Sequence, residues 1–177
     1  MAFHHVALAT RDLAATHRFY TEAMGFTLAK VVVAPTGNPG GWAKHVFYET
    51  GDDELMAFWE IFDEALDGFD PAISTSQGLP DWVNHLAFHA TPETLPIHRD
   101  RWLANGIDVA EVDHGFCTSI YASDPNGILV EWCATTREFT DDERREAYEM
   151  LDATTAEFPP DPPVTFHLAA DYATANA

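Results

Sequence analysis

His5, His85 and Glu131 are the residues whose types could do chemistry together, because each opens or sits inside a short apolar run that reads as a β-strand. Two imidazoles and one carboxylate are the ligand set of a facial triad, which leaves coordination positions open for a substrate and for oxygen. Types alone select nothing in a chain with nine histidines. What singles out these two histidines is that they occupy equivalent places in an internal repeat.

Phe3-His4-His5-Val6-Ala7-Leu8 aligns with Val83-Asn84-His85-Leu86-Ala87-Phe88. Each run is followed by a helical pattern that ends near a glycine, Leu13 to Met24 before Gly25 and Glu93 to Ala104 before Gly106. A hairpin pattern comes later in each half: His45 to Tyr48 with Leu55 to Ile61, then Thr118 to Tyr121 with Ile128 to Trp132. Both halves finish on a glutamate in an apolar strand, Glu60 and Glu131. Strand, helix, strand, strand, strand thus occurs twice, and so long a period implies two packed units rather than a solenoid.

Side chains alternate faces along a strand, so His5 shares a face with Phe3 and Ala7, His85 with Ala87 and His89, and Glu131 with Leu129 and Cys133. A carboxylate inside Ile128-Leu129-Val130-Glu131-Trp132 costs several kcal/mol to bury unless a cation or strong donors compensate it. A metal ion is the simplest compensation. His4 has the opposite facing and could take the part of His5, but the repeat alignment selects His5. His17, His98 and His167 lie in helical patterns or the tail and read as surface or packing residues. The large aromatic residues read mostly as core; Trp42 beside the glycine-rich loop and Phe116 beside His114 are candidates for the wall of an apolar substrate pocket.

The chain has 177 residues, 46% of them hydrophobic, enough to bury a substantial core. Its formal charge of −20 excludes nucleic acid and anionic membrane surfaces as partners, since both would be repelled. No apolar run approaches the ~20 residues of a membrane span and no export signal opens the sequence, so a cytoplasmic protein is expected. There its two cysteines, Cys117 and Cys133, are expected as reduced core residues, although the turn between them would leave them roughly opposite each other. Asp12 can cap the first helix, Thr91 a second beginning at Pro92, and Thr140 with Glu143 has capping-box spacing for a third running to about Phe158. Pro35 to Gly41 reads as a flexible loop and the tail beyond Pro163 has no strong pattern. Residues 1–136 are expected as one domain, with a first unit over about 1–68 and a second over about 82–136. Residues 137–177 form a carboxy-terminal extension.

The paired βαβββ units with His, His and Glu resemble the vicinal oxygen chelate superfamily of glyoxalases, epimerases, antibiotic-resistance proteins and extradiol ring-cleaving dioxygenases. The resemblance covers residues 1 to about 135. Its most specific part is Val112-Asp113-His114, then Ile120-Tyr121, Asp124-Pro125-Asn126-Gly127 and Glu131, which is similar to the signature of type I extradiol dioxygenases. The resemblance implies an α+β fold, two paired βαβββ units forming a curved mixed sheet around a metal cavity, plus a C-terminal helix and tail. It also implies that Glu131 binds iron and that His114 and Tyr121 line the substrate pocket as catalytic residues, hydrogen-bonding a catecholate. One departure stands out: the turn before the last strand of the first unit, Gly51-Asp52-Asp53-Glu54, lacks the histidine those dioxygenases carry there. His45 and His89 are partial substitutes if they face the cavity.

The expected function is therefore an Fe(II)-dependent, extradiol-type dioxygenase acting on a catechol or other vicinal-oxygen substrate, with Mn(II), Zn(II) or Ni(II) as other metals and a homodimer as the assembly. A glyoxalase-like lyase or isomerase is the alternative, in which Glu60 joins His5, His85 and Glu131 as a fourth ligand. A metal-free binding protein that sequesters a small molecule is a third reading.

Overall fold

The order strand, helix, strand, strand, strand is realised in β1 (His5–Thr10), α1 (Leu13–Arg18), β2 (Thr27–Pro35), β3 (Trp42–Gly51) and β4 (Glu54–Phe62). It recurs in β5 (His85–Ala90), α2 (Leu95–Ala104), β6 (Val109–Asp113), β7 (Cys117–Ser123) and β8 (Leu129–Thr135). The extension adds α3 (Asp141–Leu151), β9 (Val164–His167) and α4 (Ala169–Ala175). The computed structural model describes residues 3–51, 53–155, 158 and 160–176. The class is α+β as expected, with the strands in two open sheets, ordered β1-β4-β3-β2 and β5-β8-β7-β6-β9. By internal contacts the chain divides into two compact units, residues 1–86 with 122–130 and residues 87–121 with 131–177.

In the first unit β1 runs parallel to β4 with His5 opposite Leu55, and β2, β3 and β4 are antiparallel neighbours. Asp12 caps α1 by accepting the Ala15 amide at 2.8 Å, and the helix continues through a π-helical turn, Phe19–Ala23, to Gly25 at φ 80°. That turn buries Tyr20 completely against Phe58, ring centroids 4.7 Å apart, and its hydroxyl donates to Asp124 at 3.0 Å. Asp124 also accepts the backbone amides of Asn126 and Ile128, which closes the Asp124-Pro125-Asn126-Gly127 turn with Gly127 at φ 73°. The Pro35 to Gly41 loop is tied rather than loose, because the Asp63 carboxylate accepts from the Thr36 hydroxyl and the Asn38 amide.

In the second unit the Thr140 capping box forms as expected, but α3 ends at Leu151 rather than near Phe158. Helix α2 begins later than its Thr91-Pro92 signal: Thr91 and Thr94 bond each other in a preceding turn, and Thr94 takes the N-cap position. The tail carries more structure than its sequence suggested. Strand β9 pairs antiparallel with β6, Val164 opposite Val112 through His167 opposite Val109. Glu111 joins the edge, accepting from Arg99 at 3.2 Å and lying 3.0 Å from His167 Nε2. Trp132, buried on the α2 side, stacks on His98 with centroids 3.8 Å apart. Burial, and then the Arg101 charge, push the His98 pKa down to about 4. No described helix is long and apolar enough to cross a membrane.

Candidate metal centre

His5 opens β1 on the exposed face of the first sheet. Its ring lies 6.1 Å from that of His45 and 5.7 Å from that of Phe47, and His45 stacks on Trp59 at 3.9 Å and 12°. One sheet face therefore gathers His5, His45, Phe47 and Trp59, as period-two alternation requires of neighbours in this register. Burial, and then the charge on His5, hold the His45 pKa below its ordinary value, and its Nε2 is buried without a hydrogen-bond partner. So His45, one of the two substitutes for the missing turn histidine, does share the face of His5. Asp52 of that turn lies outside the described residues. The His4 and His5 Nδ1 atoms are 2.8 Å apart, so one imidazole donates to the other.

His85 opens β5, and its Nδ1 lies 2.9 Å from the Trp82 carbonyl. A carbonyl only accepts, so Nδ1 carries the proton and Nε2 is the basic nitrogen. This is the tautomer and the backbone anchor that metal-ligating histidines use.

Glu131 stands in the middle of β8 and is 5% exposed. The Tyr121 hydroxyl hydrogen-bonds it, and His114 Nε2 lies 3.0 Å from the same hydroxyl. A carboxylate accepts only, so Tyr121 donates to Glu131 and His114 Nε2–H donates to Tyr121. Burial first, and the Glu131 charge after it, push the Tyr121 pKa up to about 12, so the phenol stays protonated and the chain of bonds persists at neutral pH. His114, Tyr121 and Glu131, 17 residues apart at their extremes, are thus one connected polar row. Phe116 lies beside His114, its ring 6.2 Å away, and meets Phe139 at 5.1 Å. Cys117 and Cys133 are free thiols in the same unit. Burial and the neighbouring Cys133 raise the Cys117 pKa to about 11.

Glu60 does not share the face of His5. It pairs in register with Thr10 and Lys44, and Lys44 Nζ holds its carboxylate at 2.7 Å. The residues of β4 on the His5 face are Leu55, Ala57, Trp59 and Ile61, none of them a ligand. Trp42 likewise turns to the Glu60 side, where it stacks on Phe62 at 4.1 Å. The Lys44–Glu60 pair and the His45–Trp59 stack are contacts that inspection of single strands missed; the alternation of His45 with Phe47 was their one local signal. Among the described residues, no three His, Cys, Asp or Glu side chains of one chain come together as a group that could hold a metal ion.

Residues 2–132 match the Glyoxalase/Bleomycin resistance protein/Dioxygenase superfamily. No curated protein matches the chain significantly in sequence. Among solved structures, the fosfomycin resistance protein FosX from Listeria monocytogenes superposes with a TM-score of 0.54 at 20% identity, over 81% of this chain and 98% of its own. The same FosX as a single-residue variant complexed with Mn(II) and 1S,2S-dihydroxypropylphosphonic acid gives 0.52 at 21% identity, over 81% and 96%. Lactoylglutathione lyase from Agrobacterium tumefaciens gives 0.51 at 20% identity, over 75% and 92%. At such identities the structures speak for the fold alone, whereas the family match spans nearly three quarters of the sequence: the chain belongs to the glyoxalase/bleomycin resistance/dioxygenase superfamily.

Proposed function

We propose that the protein is a metal-dependent enzyme acting on a small molecule with two vicinal oxygens, of extradiol dioxygenase type, with His5, His85 and Glu131 as ligands of Fe(II). The observation that carries this reading is the His114–Tyr121–Glu131 row, which joins the two residues of the ring-cleavage signature to the carboxylate ligand. The donor chemistry fits a divalent ion: His85 offers Nε2 with its tautomer fixed, and Glu131 is a buried carboxylate steadied by a phenol. With Glu60 turned away, the set is three donors with open positions rather than four. Because the described residues of one chain gather no three-donor group, the reading includes a homodimer in which a second copy completes the site.

A bound divalent ion would lower the pKa of a coordinated substrate hydroxyl. Tyr121 keeps the Glu131 carboxylate in one orientation, and His114, its Nε2–H engaged by Tyr121, carries the accepting Nδ1 at the outer end of the row, where it can take a proton from a substrate hydroxyl. Phe116, 36% exposed beside it, offers an apolar ring against which an aromatic substrate would lie.

A second reading is Lewis-acid chemistry without oxygen, in keeping with the Mn(II) bound by the FosX variant and with the name of the lactoylglutathione lyase; the absence of a histidine from the turn after Gly51 favours it. Anaerobic loading with Fe(II) or Mn(II), followed by a catechol panel in an oxygen electrode, separates the two. Fe(II)-dependent oxygen uptake with ring-cleaved product supports the dioxygenase. Turnover of an epoxide or hemithioacetal with Mn(II), and none of any catechol, would replace it with the second reading. Tight aromatic binding by metal-free protein that takes up neither ion would replace both with sequestration. His114→Phe should keep metal content and lose turnover by ~10²–10⁴, the usual worth of a general acid or base; turnover equal to the parent would remove His114 from the mechanism.

A further inference from the structure

Lys44 and Glu60, turned away from His5, line a cavity of their own. It has a volume of about 390 Å³, lies within the first unit between α1 and the sheet, and falls in the size range of small-molecule sites. Its floor is buried Val46 and Tyr48, and its walls are Leu13 of α1 with Leu28 and Val31 of β2. Leu28 and Val31 are 44% and 47% exposed, so two large aliphatic side chains present open apolar surface here.

Two polar stations break this surface. At one, Lys44 Nζ meets Glu60 at 2.7 Å and is fixed further by lying 4.7 Å over the Phe62 ring, itself stacked on Trp42. At the other, His17 Nδ1 lies 3.2 Å from the Tyr48 hydroxyl. The ion pair cancels its own charge. A charged ligand would either sit beside it uncompensated or have to break it, at the desolvation cost of the partner left behind. A neutral molecule meets no such cost. It gains from the aliphatic walls and finds hydrogen-bonding groups at either station.

We propose that this cavity is a second small-molecule site, on the sheet face opposite His5, for an uncharged and mainly apolar molecule carrying a hydroxyl or carbonyl oxygen. The site is independent of the metal-centre reading, since none of its residues is a proposed ligand there.

The probe is prodan, an uncharged naphthalene ketone whose emission moves to the blue in an apolar site. Titrated into the full chain it should saturate at one molecule per chain, and shift backbone amide resonances within residues 13–17, 28–31 and 44–48. Val31→Trp and Leu28→Arg, both at exposed positions, fill or charge the wall and should weaken binding roughly tenfold, about 1.4 kcal/mol of affinity. His85→Ala should leave the isotherm unchanged. Circular dichroism of each variant checks that it is folded. Absence of saturable binding, amide shifts mapping elsewhere, or the parent affinity in both wall variants would overturn the site. An anionic naphthalenesulfonate that binds as tightly as prodan at the same amides would overturn its preference for uncharged molecules.

Discussion

Replacing Tyr121 with Phe deletes one oxygen and nothing else, and that oxygen accepts a hydrogen bond from His114 Nε2–H and donates one to Glu131. Glu131 is 5% exposed, so water cannot readily take the place of the lost donor. A hydrogen bond to a charged group is worth about 1.5–3 kcal/mol, and a buried acceptor left short of a donor costs a similar amount. For a chain of this size about 1 kcal/mol moves the midpoint of thermal unfolding by roughly 2–4 °C. Metal-free Tyr121→Phe should therefore unfold about 3–12 °C below the parent, the stability change being read more directly from urea midpoints at constant slope. The same change frees the carboxylate to rotate. Loss of a group that orients a metal ligand typically costs ~10–100-fold in affinity, so calorimetric titration with Mn(II) should show a weakening of that order. His114→Phe leaves the Tyr121–Glu131 bond in place and should cost less in both measurements, while the double variant should fall short of the sum because the three groups act as one row. Unfolding and titration curves that superimpose on those of the parent would refute the reasoning, since they would show that the phenol neither stabilises nor orients the carboxylate.

Further outcomes follow from the same geometry. His85→Ala and Glu131→Ala should each abolish stoichiometric metal, read by elemental analysis of purified protein; full metal content in either removes that residue from the ligand set. Glu60→Gln should leave metal affinity unchanged, because Glu60 is held by Lys44 on the opposite face, and a marked loss by calorimetry would restore it as a fourth ligand. His98 has its pKa lowered from 6.5 to about 4 in the folded state, so the unfolded chain binds the extra proton between those values and stability falls as pH drops through that window. The shift corresponds to at most about 3 kcal/mol, which His98→Phe should remove from the difference between urea unfolding at pH 7 and at pH 4; an equal pH dependence in the two proteins would refute this.

Local signals carried much of this protein. The caps at Asp12 and Thr140, the Asp124-Pro125-Asn126-Gly127 turn and the twice-repeated strand and helix order depend on contacts within a few residues, and all formed as the sequence reads. The spacing of His114, Tyr121 and Glu131 also contained their relation, because a hairpin with a known turn brings β7 beside β8 and puts Tyr121 next to Glu131. Glu60 was different. Its place within an apolar strand is like that of Glu131, but which face it takes depends on how β4 slides against β1, and the pairing of His5 with Leu55 puts the odd-numbered residues of β4 on the His5 face. A shift of one residue reverses every facing, and nothing within a single strand sets that register. The same holds for β9, a four-residue segment with two exposed apolar side chains that becomes a strand only because the edge of β6 is there to pair with it. Sequence determined which elements form and where on them the candidate residues stand; tertiary structure decided which side chains share a face, because strand register is a contact between segments far apart in the chain.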